Sequence, residues 1–112
     1  MHRYLITGVK GQIGLGLLPR MISRYGAENI IVSDISKDLG VPSLANKVQY
    51  KQLDVTDSNK FEEIVKNDKI TSVIHLAGIL SGLAEKQPDL AKRVNIDSVI
   101  KVFELSAKYK LK

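Results

Sequence analysis

The sequence contains no cysteine, which excludes both a disulfide framework and a thiolate metal site. It has 2 histidines, His2 and His75, too far apart along the chain to suggest a metal cluster. No apolar run is long enough to span a membrane. Met1-His2-Arg3-Tyr4 leads straight into an apolar run and leaves no room for a signal peptide, so the expected location is cytoplasmic. Aromatic residues are scarce, at 5%, and do not alternate with basic ones as a base-stacking surface requires. The net charge of +5 is therefore not read as a nucleic-acid face. Its lysines are dispersed, and Lys108, Lys110 and Lys112 crowd at a helix end, where cations complement the helix dipole. No internal repeat, low-complexity tract or linker is visible.

What is present describes one domain. The chain has 112 residues, 44% of them hydrophobic, enough to bury a core without staples. Residues 3–7 read as a buried strand. Residues 12–25 read as a helix, because Ile13, Leu17, Leu18, Met21, Ile22 and Tyr25 recur at intervals of three and four. Pro19 is expected to kink it, and Gly26 to stop it. Residues 29–34 form a second strand and 36–46 a loop. Residues 48–55 form a third strand, followed by capping residues at Thr56-Asp57-Ser58. The next helix carries Phe61, Ile64 and Val65 on one face. Residues 70–77 form a fourth strand and 78–87 a loop. Pro88 opens a last helix that runs to about residue 109, with Ile96, Ile100, Phe103 and Ala107 on one stripe. Strands alternating with helices imply an α/β fold with a parallel sheet.

The stretch from Ile6 to Gly14, Ile6-Thr7-Gly8-Val9-Lys10-Gly11-Gln12-Ile13-Gly14, stands between the first strand and the first helix. Its glycines recur every third residue, the arrangement that binds a dinucleotide pyrophosphate. Gly8 allows a sharp turn off the strand, Gly11 lets the backbone approach a diphosphate, and Gly14 lets the helix pack closely. Helix-start amides and the helix dipole then favour the anion. The ending does not match a mononucleotide phosphate loop, since Gln12 rather than a Lys-Ser/Thr pair follows Gly11. Taken alone, the spacing also fits an ordinary strand-to-helix turn.

Asp34 closes the second strand, 20 residues after Gly14. A carboxylate there can accept both ribose hydroxyls and repels a 2′-phosphate, which favours NAD over NADP. Asp54 ends the third strand, where it either touches adenine with Val55 or simply forms a turn. Leu76-Ala77-Gly78 ends the fourth strand and leaves room for a cofactor. By strand alternation His75 points away from that side and is read as structural. Ser81 can reach a substrate and Lys86 can act as a base, whereas a solvated loop suits Glu85 and Lys86 better.

These residues resemble the extended short-chain dehydrogenase/reductase family, of the NAD-dependent epimerase/dehydratase type. The resemblance spans the chain. It rests on Thr7-Gly8-Val9-Lys10-Gly11-Gln12-Ile13-Gly14, Leu53-Asp54-Val55, His75-Leu76-Ala77-Gly78 and Val94-Asn95. Within the family, Ser33-Asp34-Ile35, the run from His75 to Ser81, and Glu85-Lys86-Gln87-Pro88 with Leu90-Ala91 and Asn95 are similar to the L-threonine 3-dehydrogenase branch. Pro19 is shared with that branch too. The resemblance implies a Rossmann-type sheet of strand order 3-2-1-4. It also implies roles. Gly8, Gly11, Gln12 and Ile13 would hold the pyrophosphate, and Asp34 and Ile35 the adenine ribose. Asp54 and Val55 would contact adenine, and Leu76, Ala77 and Gly78 would lie along the nicotinamide ribose. Ser81 would approach the substrate, and Asn95 would fix the active-site end of the sheet. Ala84 stands where the branch has glycine, and Gly82 where it has a small side chain.

The family's catalytic Ser/Thr and its Tyr-x-x-x-Lys pair follow a fifth strand. Tyr109-Lys110 lacks that spacing, so no catalytic residue is assigned and enzymatic activity of the chain itself is left open. The expectation is an incomplete NAD-binding domain over residues 1–112, truncated before the fifth strand. It would belong to an oxidoreductase that passes hydride from a secondary alcohol to NAD, with a small, threonine-like substrate implied by the resemblance. The alternatives are a non-catalytic dinucleotide-binding module and a fragment of a sugar-nucleotide epimerase/dehydratase. The fourth strand would be left at a sheet edge, which predicts self-association.

Overall fold

A computed structural model of the chain describes residues 2–40, 47–78 and 85–111. Four parallel strands form one sheet: β1 (Tyr4–Thr7), β2 (Ile30–Asp34), β3 (Gln49–Gln52) and β4 (Ser72–His75), in the order β3-β2-β1-β4. The expected order is the observed one. Helix α1 (Gln12–Tyr25) follows β1, and α2 (Ser58–Asn67) follows β3. The chain then continues through α3 (Pro88–Lys92), a π-helical turn (Arg93–Asp97) and α4 (Ser98–Tyr109).

The sheet is covered on both faces, which is why β1 and β2 are apolar without alternation. Leu5 and Ile31 face one way and pack with Phe61, Ile64, Val65 and Leu105. Ile6 and Val32 face the other way and pack with Val9, Leu18, Met21 and Leu39. Successive strand residues point to opposite faces, so each central strand feeds both layers. β1 lies in register with its neighbours, Ile6 opposite both Val32 and Ile74, and Thr7 opposite His75.

Helix α1 runs through Pro19, which lies on its exposed side, where solvent can take up the carbonyl that the proline leaves unpaired. It stops at Gly26, whose φ of 87° suits glycine, and the Gly26 amide returns to the Ile22 carbonyl. Asp57 caps α2 by accepting from the Lys60 amide at 3.1 Å.

Three expectations need correction. The third strand is shorter than residues 48–55. Leu53 N still donates to Asp34 O at 2.8 Å, but Asp54 then turns the chain by accepting from the Thr56 amide and hydroxyl. The fourth strand is shorter than residues 70–77: Leu76 N still donates to Thr7 O at 3.1 Å, and the Ala77 amide then turns to the Thr7 hydroxyl. Glu85 and Lys86, expected in a loop, have helical backbone and are exposed.

The last helix carries two apolar stripes. Ile96, Ile100 and Phe103 do share a stripe, but it faces solvent, with Phe103 70% exposed. The packed stripe is Ala91, Val94, Ser98, Val102 and Leu105. Glu62 of α2 ties this helix down through Lys101, Lys108 and the Tyr109 hydroxyl.

Candidate functional site: a cavity across the strand ends

All four strands run the same way, so their carboxyl ends share one edge. Ligands of open α/β sheets lie there. A cavity of about 480 Å³ occupies that edge. Gly8, Lys10 and Gly11 line it from the loop after β1, and Asp34 and Ile35 from the end of β2. Leu53, Asp54 and Val55 line it after β3, Leu76, Ala77 and Gly78 after β4, and Leu90 and Val94 from the last helix.

The glycines do different work. Gly8 has φ +65°, and a Cβ there would lie 2.5 Å from the Ala77 amide nitrogen. A Cβ on Gly14 would lie 2.4 Å from the Val9 carbonyl oxygen. Both positions are closed by the protein's own backbone. Gly11 is different: a Cβ there would meet only the Gly8 carbonyl oxygen, at 3.4 Å, while the residue lines the cavity. Its open side is where a ligand could approach the backbone. This is the fit that a dinucleotide diphosphate requires.

Asp34 holds this loop in place. Its Oδ2 accepts from the Lys10 amide at 2.9 Å, and its Oδ1 from the Ile35 amide at 2.7 Å. Each carboxylate oxygen can accept more than one hydrogen bond, so ribose hydroxyls can still be taken. The Val9 amide adds a bond to Ser33 O at 3.1 Å, joining the loop to β2. Lys10 reaches the Asp38 carbonyl with its ammonium at 3.4 Å.

Asp54 serves the turn and also lines the cavity. Its Oδ1 accepts from Thr56 N at 3.0 Å and Thr56 Oγ1 at 2.7 Å. Gln12, Ile13 and Gly14 lie outside the lining, in the first turn of α1. Leu15 N donates to Gly11 O at 3.0 Å, and the amides before it have no acceptor within the helix. Asn95 is exposed, and its Oδ1 lies 3.4 Å from where a Gly78 Cβ would stand. Ser81 lies outside the described residues.

His75 does not line the cavity. Its Nδ1 lies 2.7 Å from Thr7 Oγ1 and its Nε2 lies 2.9 Å from Ser98 Oγ. Burial holds the imidazole below its ordinary pKa. Sequence reasoning assigned no cofactor role to Lys10, Leu53, Leu90 or Val94. Lys10 and Leu53 adjoin assigned residues and could have been found by extending the motif. Leu90 and Val94 stand within stretches that carry the family resemblance, but nothing in their spacing places them at the cavity, because only chain folding brings the last helix to the glycine loop.

Comparison with known proteins agrees with this geometry. The family model described as "NAD dependent epimerase/dehydratase family" matches residues 4–112. An uncharacterized epimerase/dehydratase of Staphylococcus epidermidis is 37% identical over 112 residues, covering 100% of this chain and 35% of that protein. The mitochondrial L-threonine 3-dehydrogenase of Bos taurus is 36% identical over 111 residues, covering 99% of this chain and 29% of its own length. The X-ray structure of L-threonine dehydrogenase from Clostridium difficile superposes with a TM-score of 0.90 at 37% identity, covering 100% of this chain and 35% of that one. The chain thus spans about a third of the length of these relatives. With the glycine loop, the strand order and the matched span in agreement, the chain belongs to the NAD-dependent epimerase/dehydratase family.

Proposed function

We propose that this chain is the NAD-binding portion of an oxidoreductase, and that the dinucleotide lies in the cavity across the strand ends. The observation that carries the reading is the sorting of the glycines. Gly8 and Gly14 are closed by protein backbone, whereas Gly11 opens on a cavity that Asp34 also lines. The Gly11 backbone and the first-turn amides at Gln12 and Ile13 hold the pyrophosphate. Asp34 accepts the adenine ribose hydroxyls, and its negative charge disfavours a 2′-phosphate. Asp54 and Val55 flank the adenine. Leu76, Ala77 and Gly78 border the nicotinamide ribose, with Asn95 behind Gly78. Ser81 contacts the substrate. When bound, NAD supplies a hydride acceptor for a secondary alcohol. The threonine dehydrogenases among the relatives make a threonine-like substrate the first to test.

Calorimetric titration with NAD and with NADP tests the reading. Binding of NAD, tighter than NADP, is expected. Absence of binding by either at millimolar concentration would refute it. NADH formation with threonine then separates a dehydrogenase from a binding module.

The outer edge of β4 pairs with no strand among the described residues. We propose self-association through that edge. A sedimentation coefficient that does not rise with concentration would refute it.

A further inference from the structure

Three walls of the cavity are joined through one side chain that does not line it. The amide nitrogens of Leu76 and Ala77 lie 3.1 and 3.3 Å from Thr7 Oγ1 and donate to it. His75 Nδ1 lies 2.7 Å from the same oxygen. A threonine hydroxyl has one proton to donate and two lone pairs. The Leu76 amide is shared with the Thr7 carbonyl, also at 3.1 Å; with two amides on the lone-pair side of the hydroxyl, its proton is free to go to His75 Nδ1. At the far side of the ring, Ser98 Oγ lies 2.9 Å from Nε2 and also within hydrogen-bonding reach of the Val94 carbonyl. A carbonyl only accepts, so Ser98 donates there and must accept from Nε2–H. The Ser98 end calls for a proton on Nε2, and the Thr7 end accommodates an accepting Nδ1, so the chain of bonds favours one form of the ring: neutral, with its proton on Nε2.

This chain of bonds begins beside Gly8, passes through β4 and ends at Val94, which lines the cavity. We propose that His75 is a positioning residue of the cofactor site: as the neutral Nε2–H imidazole it locks the glycine turn, the end of β4 and the Val94 turn together, and its protonation loosens the cavity and weakens dinucleotide binding. The inference rests on the NAD reading above.

The locked surfaces leave little slack. The Ala77 amide stands 2.5 Å from where a Gly8 Cβ would be, and Asn95 Oδ1 stands 3.4 Å from the Cβ position of Gly78. Thr7 of β1, Phe61 of α2 and Ser98 of α4 face the ring, and none of them is charged. Burial disfavours the imidazolium, with no charged partner among the described residues to offset it. A protonated ring would also turn a donor toward Thr7 Oγ1, which already accepts from two amides, and would leave the threonine proton without its acceptor.

The 112-residue chain can be tested directly. Long-range proton–nitrogen spectra of the histidine ring, recorded without NAD near neutral pH, are expected to show the proton on Nε2. A proton on Nδ1 would overturn the proposal. Calorimetry from neutral pH downward, through and below the ordinary histidine range, is expected to show NAD affinity falling with a one-proton dependence, because burial lowers the pH at which His75 takes up its proton. His75→Phe should bind weakly with a flat profile. Ser98→Ala, which removes one oxygen and serves if His75→Phe does not fold, should raise the NAD Kd about fivefold, the effect of one net hydrogen bond. Wild-type affinity in Ser98→Ala, or a flat wild-type profile, would overturn the proposal. If the wild-type chain binds no NAD at all, the cofactor reading fails and the positioning role falls with it. An Nε2–H ring would then mark the tie as structural only.

Discussion

Alanine substitutions at four glycines separate folding from binding. In Gly14→Ala the new methyl carbon would sit 2.4 Å from the Val9 carbonyl oxygen, and in Gly8→Ala 2.5 Å from the Ala77 amide, with φ +65° as an added strain. Backbone cannot move aside as a flexible side chain can. Overpacking of this kind costs about 1–3 kcal/mol, and an alanine forced to positive φ adds about 1 kcal/mol or more. Each kilocalorie moves the melting temperature of a domain near this size by roughly 4–8 °C, so Gly14→Ala should melt about 4–24 °C lower. Gly16, on the exposed side of α1, has nothing within 4 Å of its Cβ position. Gly16→Ala should therefore stabilise by about 0.5–1 kcal/mol, the helix propensity difference.

Gly11 is the informative position. Its φ of −68° suits any residue, and an added Cβ would meet only the Gly8 carbonyl oxygen, at 3.4 Å. Restricting the unfolded chain gains about 0.4–1 kcal/mol. Placing alanine at the first helix cap loses a similar amount, since glycine is much preferred there. The two effects nearly cancel, so Gly11→Ala should melt within about 4 °C of wild type. Its methyl would nevertheless occupy the closest approach of the diphosphate and should raise the NAD Kd at least about tenfold, or 1.4 kcal/mol. Thermal melts followed by circular dichroism and NAD calorimetry read both quantities. Wild-type NAD affinity in Gly11→Ala, or an unchanged melting temperature in Gly14→Ala, would refute the assignment of these roles.

Three further outcomes are expected. Asp34→Ala should weaken NAD binding by about tenfold and narrow the preference over NADP, since its carboxylate is the group that accepts the ribose; unchanged affinity removes Asp34 from the site. Hydrogen bonds from Lys108, Tyr109 and Lys101 lower the Glu62 carboxyl from 4.5 to about 2. Its contribution is therefore present above about pH 4.5 and is lost as the pH falls toward 2, so the melting curves of wild type and Glu62→Gln should converge on acidification, and a constant gap would contradict the cluster. Leu105→Ala should cost about 2–5 kcal/mol in urea denaturation, whereas Phe103→Ser, at a site 70% exposed, should stay within about 0.5 kcal/mol; the reverse ranking would mean that the last helix packs on its other stripe.

Much of this protein is written in short-range patterns. The glycine spacing, the Asp57 cap and the helix stop at Gly26 are local, because each acts through backbone geometry a few residues away. Asp34 is legible too, since its distance from the glycines is set by one helix and one strand. Strand ends were less legible. Asp54 ends β3 by forming its own turn, and at the end of β4 the Thr7 hydroxyl takes the Ala77 amide and shares that of Leu76 with the Thr7 carbonyl. The second event depends on a residue nearly seventy positions away.

By itself the sequence determined the α/β alternation, the glycine turn and the candidate binding residues at the strand ends, because these depend on local spacing. Tertiary structure alone decided which apolar stripe of the last helix is buried, since a period of 3.6 residues gives the stripe's angle but not what packs against it. Ser98 interrupts the packed stripe in the sequence, yet it belongs there because it meets His75 across 23 positions. The structure likewise brought Leu90 and Val94 to the cavity and set the Gly8 turn against the Ala77 backbone. In each case the deciding contact joins segments far apart in the chain, and residue spacing carries no record of it.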